Sequence, residues 1–137
     1  MTMIRTMLSI GVIAVFFMPA SCSPAPAAEL KCVECGMMVA PGSKFYAWIV
    51  QDKDTLPFCD IGDLLTYLDK KSLSPGLARV RDYPGGDTII ADKAFFVRDT
   101  NAFRTPMGWG LAAFKDKREA AKFGTVLDFT GAAKTVN

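Results

Sequence analysis

Seven residues near the start of the chain, Cys32-Val33-Glu34-Cys35-Gly36-Met37-Met38, carry two thiols and two thioethers, all soft sulfur donors. Gly36 stands beside the second thiol, where a residue without Cβ lets backbone fold closely around a bound atom. Such a stretch constrains the rest of the fold, because a further donor from a distant loop is needed to close the site. The best source is Thr105-Pro106-Met107-Gly108-Trp109-Gly110, whose proline and glycines shape a loop that presents Met107. Together the two stretches point to a cuprous ion, with Cys35, Met37, Met107 and Cys32 as candidate ligands.

The chain contains no histidine. That removes imidazole acid–base catalysis, any Ser-His-Asp triad and every imidazole metal site. Copper(I) does not need it, since the ion has no ligand-field demand and two or three sulfurs hold it well. With 137 residues there is chain for one domain, and the formal net charge of +2 is scattered rather than blocked. No run of lysine and arginine is available to neutralise phosphates, which argues against nucleic acid.

Arg5 precedes an apolar run from Met7 to Met18, the charged start and short hydrophobic middle of a secretory signal. The small residues Ala20-Ser21 before Cys22 resemble a bacterial lipoprotein cleavage site, so Cys22 is expected to carry the lipid. Pro19 departs from the aliphatic residue usual there, and ordinary cleavage near Ala25-Pro26-Ala27 is the alternative. Either route places the protein on the periplasmic side of a membrane. The division is then a lipoprotein-type signal at residues 1–21, a stiff tether at 22–29, one domain at 30–130 and a frayed tail at 131–137.

Assigning Cys22 to the lipid leaves Cys32, Cys35 and Cys59, an odd number for an oxidising compartment. At least one is a free thiol or a metal-bound thiolate; the plain alternative is a Cys32–Cys35 or Cys32–Cys59 disulfide with a buried leftover. Zinc ranks below copper, because three cysteines without histidine need a carboxylate or a partner to complete a four-ligand set.

The pattern predicts an α+β domain made of two related β-β-α-β units, with helices packed on antiparallel sheet. Residues 44–51 and 55–59 read as a hairpin across Asp52-Lys53-Asp54, and Asp60 caps a helix over 61–70 with Ile61, Leu64, Leu65 and Leu68 on one face. A strand follows at 78–83. The second unit begins with strands at 88–90 and 94–98, then a strand at 111–114, a helix from the Asp116/Glu119 capping pair to Phe123, and a final strand at 125–129. Phe58, Asp60, Asp63 and Tyr67 recur at the same spacing as Phe114, Asp116, Glu119 and Phe123.

Within the sulfur set, Met37 reads as a ligand, since alternate residues of an extended Cys-Gly-Met segment share a face. Met38 reads as packing, and so does Cys59, lodged between Phe58 and a helix cap. Cys32 is open between second thiolate, disulfide partner and spare. Trp109 either shields the metal or belongs to the core.

At these residues the chain resembles the NosL family, copper-binding lipoproteins that accompany nitrous oxide reductase in denitrifying bacteria. The likeness rests on Cys32-Val33-Glu34-Cys35-Gly36-Met37-Met38-Val39, Phe58-Cys59-Asp60 with Asp63, Ala91-Asp92-Lys93-Ala94-Phe95-Phe96-Val97, and Pro106-Met107-Gly108 leading to Ala113-Phe114. The resemblance implies a copper(I) chaperone that supplies the copper-sulfide centre of the reductase through an ABC-type membrane assembly. It also implies a fold of two related β-β-α-β halves, Cys35 and Met37 as the ligand pair, and a further donor from the Met107 loop. Family members use a histidine in or near the site; its lack here leaves the third place to Met107 or Cys32. Two competing readings are a periplasmic thiol oxidoreductase acting through Cys32 and Cys35, and an interaction module clipped by a disulfide. Against the first, Val39-Ala40-Pro41-Gly42 does not continue as the helix whose N-terminus would lower a thiol pKa.

Overall fold

The computed structural model describes residues 29–137; the leader, Cys22 and all but the last residue of the tether lie outside the described residues. Strands β1 (Ala47–Gln51) and β2 (Asp54–Phe58) form the expected hairpin, joined by a two-residue turn. Asp52 takes the left-handed backbone there (φ 52°), a conformation that aspartate tolerates better than most residues. Helix α1 (Ile61–Lys71) follows, capped by the Asp60 carboxylate accepting from Gly62 N–H. Ile61, Leu64, Leu65 and Leu68 are all buried, each contributing roughly 1.5–3 kcal/mol of burial.

Strand β3 (Ala78–Arg81) returns antiparallel to β1, so the first unit is β-β-α-β with β1 in the middle. The strand expected to open the second unit instead belongs to the first sheet: β4 (Thr88–Ile90) pairs with β3, giving the order β2-β1-β3-β4. The short Pro84-Gly85-Gly86-Asp87 turn decides this, because it folds the chain straight back on β3. Asp82 N–H donates to the Asp87 carbonyl at 2.8 Å across it.

The second unit starts at β5 (Phe95–Arg98), which pairs antiparallel with β6 (Leu111–Phe114). Helix α2 (Lys117–Ala121) is capped by Asp116, which accepts from the amides of Arg118 and Glu119. The expected last strand is reduced to one antiparallel bridge, Phe96 to Leu127. From Phe129 the chain turns into α3 (Phe129–Lys134), capped by Asp128, which replaces the end of the expected strand and the start of the frayed tail expected at 131–137. Ala132 on α3 is fully buried in the main core, and that docking rather than helix propensity holds so short a segment.

The β5–β6 sheet divides two cores. Phe96, Leu111 and Ala113 join the main core with α1 and the four-stranded sheet, whereas Val97, Ala112 and Phe114 face a smaller one with Phe103 and Ala120. All four residues of β6 are buried as a result. The fold class is α+β with antiparallel sheets and packed helices. Among the described residues, no helix is long and apolar enough to cross a membrane.

Candidate metal centre

Residues 31–38 fold into a small hairpin. Lys31 bridges Met38, Cys32 N–H donates to the Met37 carbonyl (2.8 Å) and Gly36 N–H donates back to the Cys32 carbonyl (2.9 Å). Gly36 sits at φ +74°, the left-handed conformation that only glycine adopts at little cost. Cys35-Gly36-Met37 is therefore a turn, and the alternation expected of an extended segment does not apply to it. Val33 N–H donates to the Pro57 carbonyl at 3.0 Å, pinning the hairpin to the end of β2, two residues before Cys59.

That pin brings together a cluster from two stretches. One ligand atom each from Cys32, Cys35, Cys59 and Asp63 lies within 4.8 Å of the others. Cys35 Sγ is 3.4 Å from Cys59 Sγ; Cys32 Sγ is 3.4 Å and Cys59 Sγ 3.6 Å from Asp63 Oδ2. Cys59 lies just before the Asp60 cap and Asp63 in the first turn of α1, so the end of β2 and the helix start each contribute one donor facing the hairpin. Cys32 and Cys59 are buried and Cys35 is half-buried, all three as free thiols.

A second loop braces the carboxylate. Trp109 Nε1–H donates to Asp63 Oδ1 at 3.0 Å, which leaves Oδ2 turned to the thiols. The indole lies across Gly62, where a Cβ would sit 2.1–2.6 Å from ring atoms, so the first turn of α1 needs a glycine for the loop to close over it. Asp60, fully buried, accepts from Gly62 N–H and from Met107 N–H, both at 3.1 Å, and ties the 105–110 loop to the helix start.

Burial pushes the Cys35 thiol up, helped by Asp63 and Cys32 and opposed by the Met37 amide and by Cys59. Cys59 is pushed up more strongly, by burial first and then by its neighbours Cys35, Cys32 and Asp63. Asp60 is also raised by burial, against the Thr105 side chain and the amides of Gly62 and Met107. Without a cation, Cys35 and Cys59 are both held toward their protonated forms, because burial and closely spaced neighbours disfavour the thiolate.

Of the residues singled out in the sequence, Cys32 and Cys35 are in the cluster. Met37 and Met107 are 44% and 42% exposed, on the hairpin and on the Trp109 loop. Met38, expected to pack, is more exposed still, because its bridge to Lys31 leaves the side chain outside. Cys59 is buried as expected of a packing residue, yet its sulfur also faces the other thiols. Asp63 was missed as a candidate donor: it reads as a capping residue, and only its distance to Cys32, 31 positions away, reveals the other role. Trp109 serves as a brace for that carboxylate. Two surface clefts, of about 220 and 360 Å³, are lined by other residues.

Two antiparallel sheets with packed helices, closed around convergent thiols and a carboxylate, define a small α+β protein with a site able to hold a soft metal ion. The NosL family profile matches residues 25–132, and the chain belongs to that family. Its fold is similar to the crystal structure of the copper chaperone NosL from Shewanella denitrificans, with a TM-score of 0.63 and 21% identity. The match covers 82% of this chain and 96% of that one. No curated protein matches the sequence.

Proposed function

We propose that the protein is a copper(I) chaperone on the periplasmic side of a bacterial membrane, anchored through lipid at Cys22, and not an enzyme. Its cargo is delivered for the copper-sulfide centre of nitrous oxide reductase through an ABC-type membrane assembly. Family membership supports the reading, and one observation carries it: three thiols converge with a single one, Cys35, reaching solvent. Thiolates suit a soft monovalent ion, and a half-exposed donor gives it a way in and out. The thioethers of Met37 and Met107, neutral and therefore weaker, are the outer donors that accept the ion as it leaves.

Titrating reduced protein with copper(I) against a chromogenic chelator tests this. The expected result is one ion per chain with thiolate-to-metal absorption, lost in Cys35→Ser and weakened in Met37→Leu and Met107→Leu. Unchanged affinity in Cys35→Ser defeats the assignment. For the client, deletion of the gene is expected to leave the reductase deficient in copper.

A second reading is favoured by Asp63, whose Oδ2 supplies the carboxylate that three cysteines need to complete a zinc-type set. A tetrahedral ion with bonds of about 2.3 Å separates its ligands by about 3.8 Å, between the three closest donor spacings of 3.4–3.6 Å and the 4.8 Å within which all four donors lie. Asp63→Asn separates the two: zinc affinity falls steeply while copper(I), which neglects hard oxygen, is held almost as before.

A further inference from the structure

The sulfur contact that crosses the fold is between Cys35 and Cys59, not within the Cys-x-x-Cys pair. Their Sγ atoms are 3.4 Å apart, whereas the Cys32 thiol is directed to Asp63 Oδ2. The partners also differ in access. Cys35 is half-buried on a turn whose next residue is a left-handed glycine, while Cys32 and Cys59 are 2% and 3% exposed. An oxidant from solvent therefore meets Cys35 first. Disulfide bonding needs the sulfurs to close to about 2.05 Å, a movement of about 1.4 Å that the Gly36 turn can absorb while Cys59 stays fixed between β2 and α1.

We infer that Cys35 and Cys59 form a reversible disulfide by exchange with a disulfide-class oxidant, and that this bond locks the site against metal. In the first step the Cys35 thiolate attacks the external disulfide, forming a mixed disulfide and releasing one equivalent of thiol. In the second, the Cys59 thiolate attacks the Cys35 sulfur and releases the other. The two cysteines lose two electrons, the oxidant gains them, and the two thiol protons end on the departing thiols. Cys32 is then the one thiolate left beside Asp63, and the neutral thioethers of Met37 and Met107 do not replace the two that are lost. The lock on metal rests on the copper reading above; the bond itself does not.

Reduced, metal-free protein treated with oxidised glutathione is expected to lose two hydrogens in mass, with tandem mass spectrometry linking Cys35 to Cys59. Cys32→Ser keeps the cross-link. Cys59→Ala stops at a glutathione adduct on Cys35, and circular dichroism confirms that this variant is folded. Dithiothreitol reverses the reaction. A link from Cys32 to either other cysteine, or none, overturns the inference. In the copper titration, oxidised protein is expected to bind no ion and reduced protein one. If the cross-link forms but reduced protein takes no copper, the chaperone reading fails while the disulfide stands.

Discussion

The two halves of the domain carry the same punctuation and make opposite use of it. In each, a phenylalanine ends the second strand, an aspartate two residues later caps a helix, and an acidic residue follows three positions on: Phe58, Asp60 and Asp63 in one, Phe114, Asp116 and Glu119 in the other. Asp116 faces water and Glu119 pairs with Lys122 on the surface. Asp60 and Asp63 are buried under the 105–110 loop, and their free oxygens go to Met107 N–H and to the thiols. In place of thiols the second half stacks rings, with Phe103, Phe114 and Phe123 around Tyr83. Capping chemistry becomes a site where a second element covers it, because exclusion of water lets a carboxylate hold thiols instead of solvent.

The largest effect that would sharpen this contrast is on metal affinity. Burial raises the thiols of Cys35 and Cys59, so both are protonated at neutral pH and the cation must displace the protons. Affinity should then rise with pH, by about tenfold per unit for each proton displaced, in chelator competition between about pH 6 and pH 8. A flat profile would mean that the covered half does not use its thiols.

Next come the caps. Asp60→Ala leaves the amides of Gly62 and Met107 without their acceptor in a buried place and should cost roughly 2–4 kcal/mol in urea unfolding. Asp116→Ala, on the open half, should cost about 1 kcal/mol. Equal losses would break the comparison. Gly62→Ala forces the Trp109 ring aside and should cost about 1–3 kcal/mol, with weaker metal binding. Arg118 holds the equivalent position in the second half, and its replacement by alanine should leave the melting temperature near that of the parent. The smallest effect is Glu119→Ala, below about 0.5 kcal/mol, since it removes one exposed ion pair.

Local signals were strong enough to read the β1–β2 hairpin, α1 with its cap and apolar face, and the Asp116 cap of α2; the Glu119 half of the expected capping pair turns to Lys122 instead, and the helix stops at Ala121, short of Phe123. They failed where a partner outside the segment decides the outcome. Thr88–Ile90 is β-rich in either unit, and the turn before it assigns it to β3. Leu127 has one bridge because the chain leaves the sheet to put Ala132 into the core, and between 125 and 137 Asp128, the cap of α3, is the local sign of that turn.

What the residues alone decide is the donor chemistry. Sulfur without imidazole selects a soft ion, and Cys32 and Cys35 stand within one seven-residue stretch. What only folding decides is which atoms share a site. Cys59 and Asp63 are separated from Cys35 by a hairpin and a helix start, and the backbone bond from Val33 to Pro57, the Glu34–Lys70 ion pair and the packing of Cys32 into the core bring them within 4.8 Å. Trp109 then fixes the carboxylate from a loop 46 positions further on. Donor identity is local, whereas convergence depends on strand pairing and on the exclusion of water, both of which are tertiary.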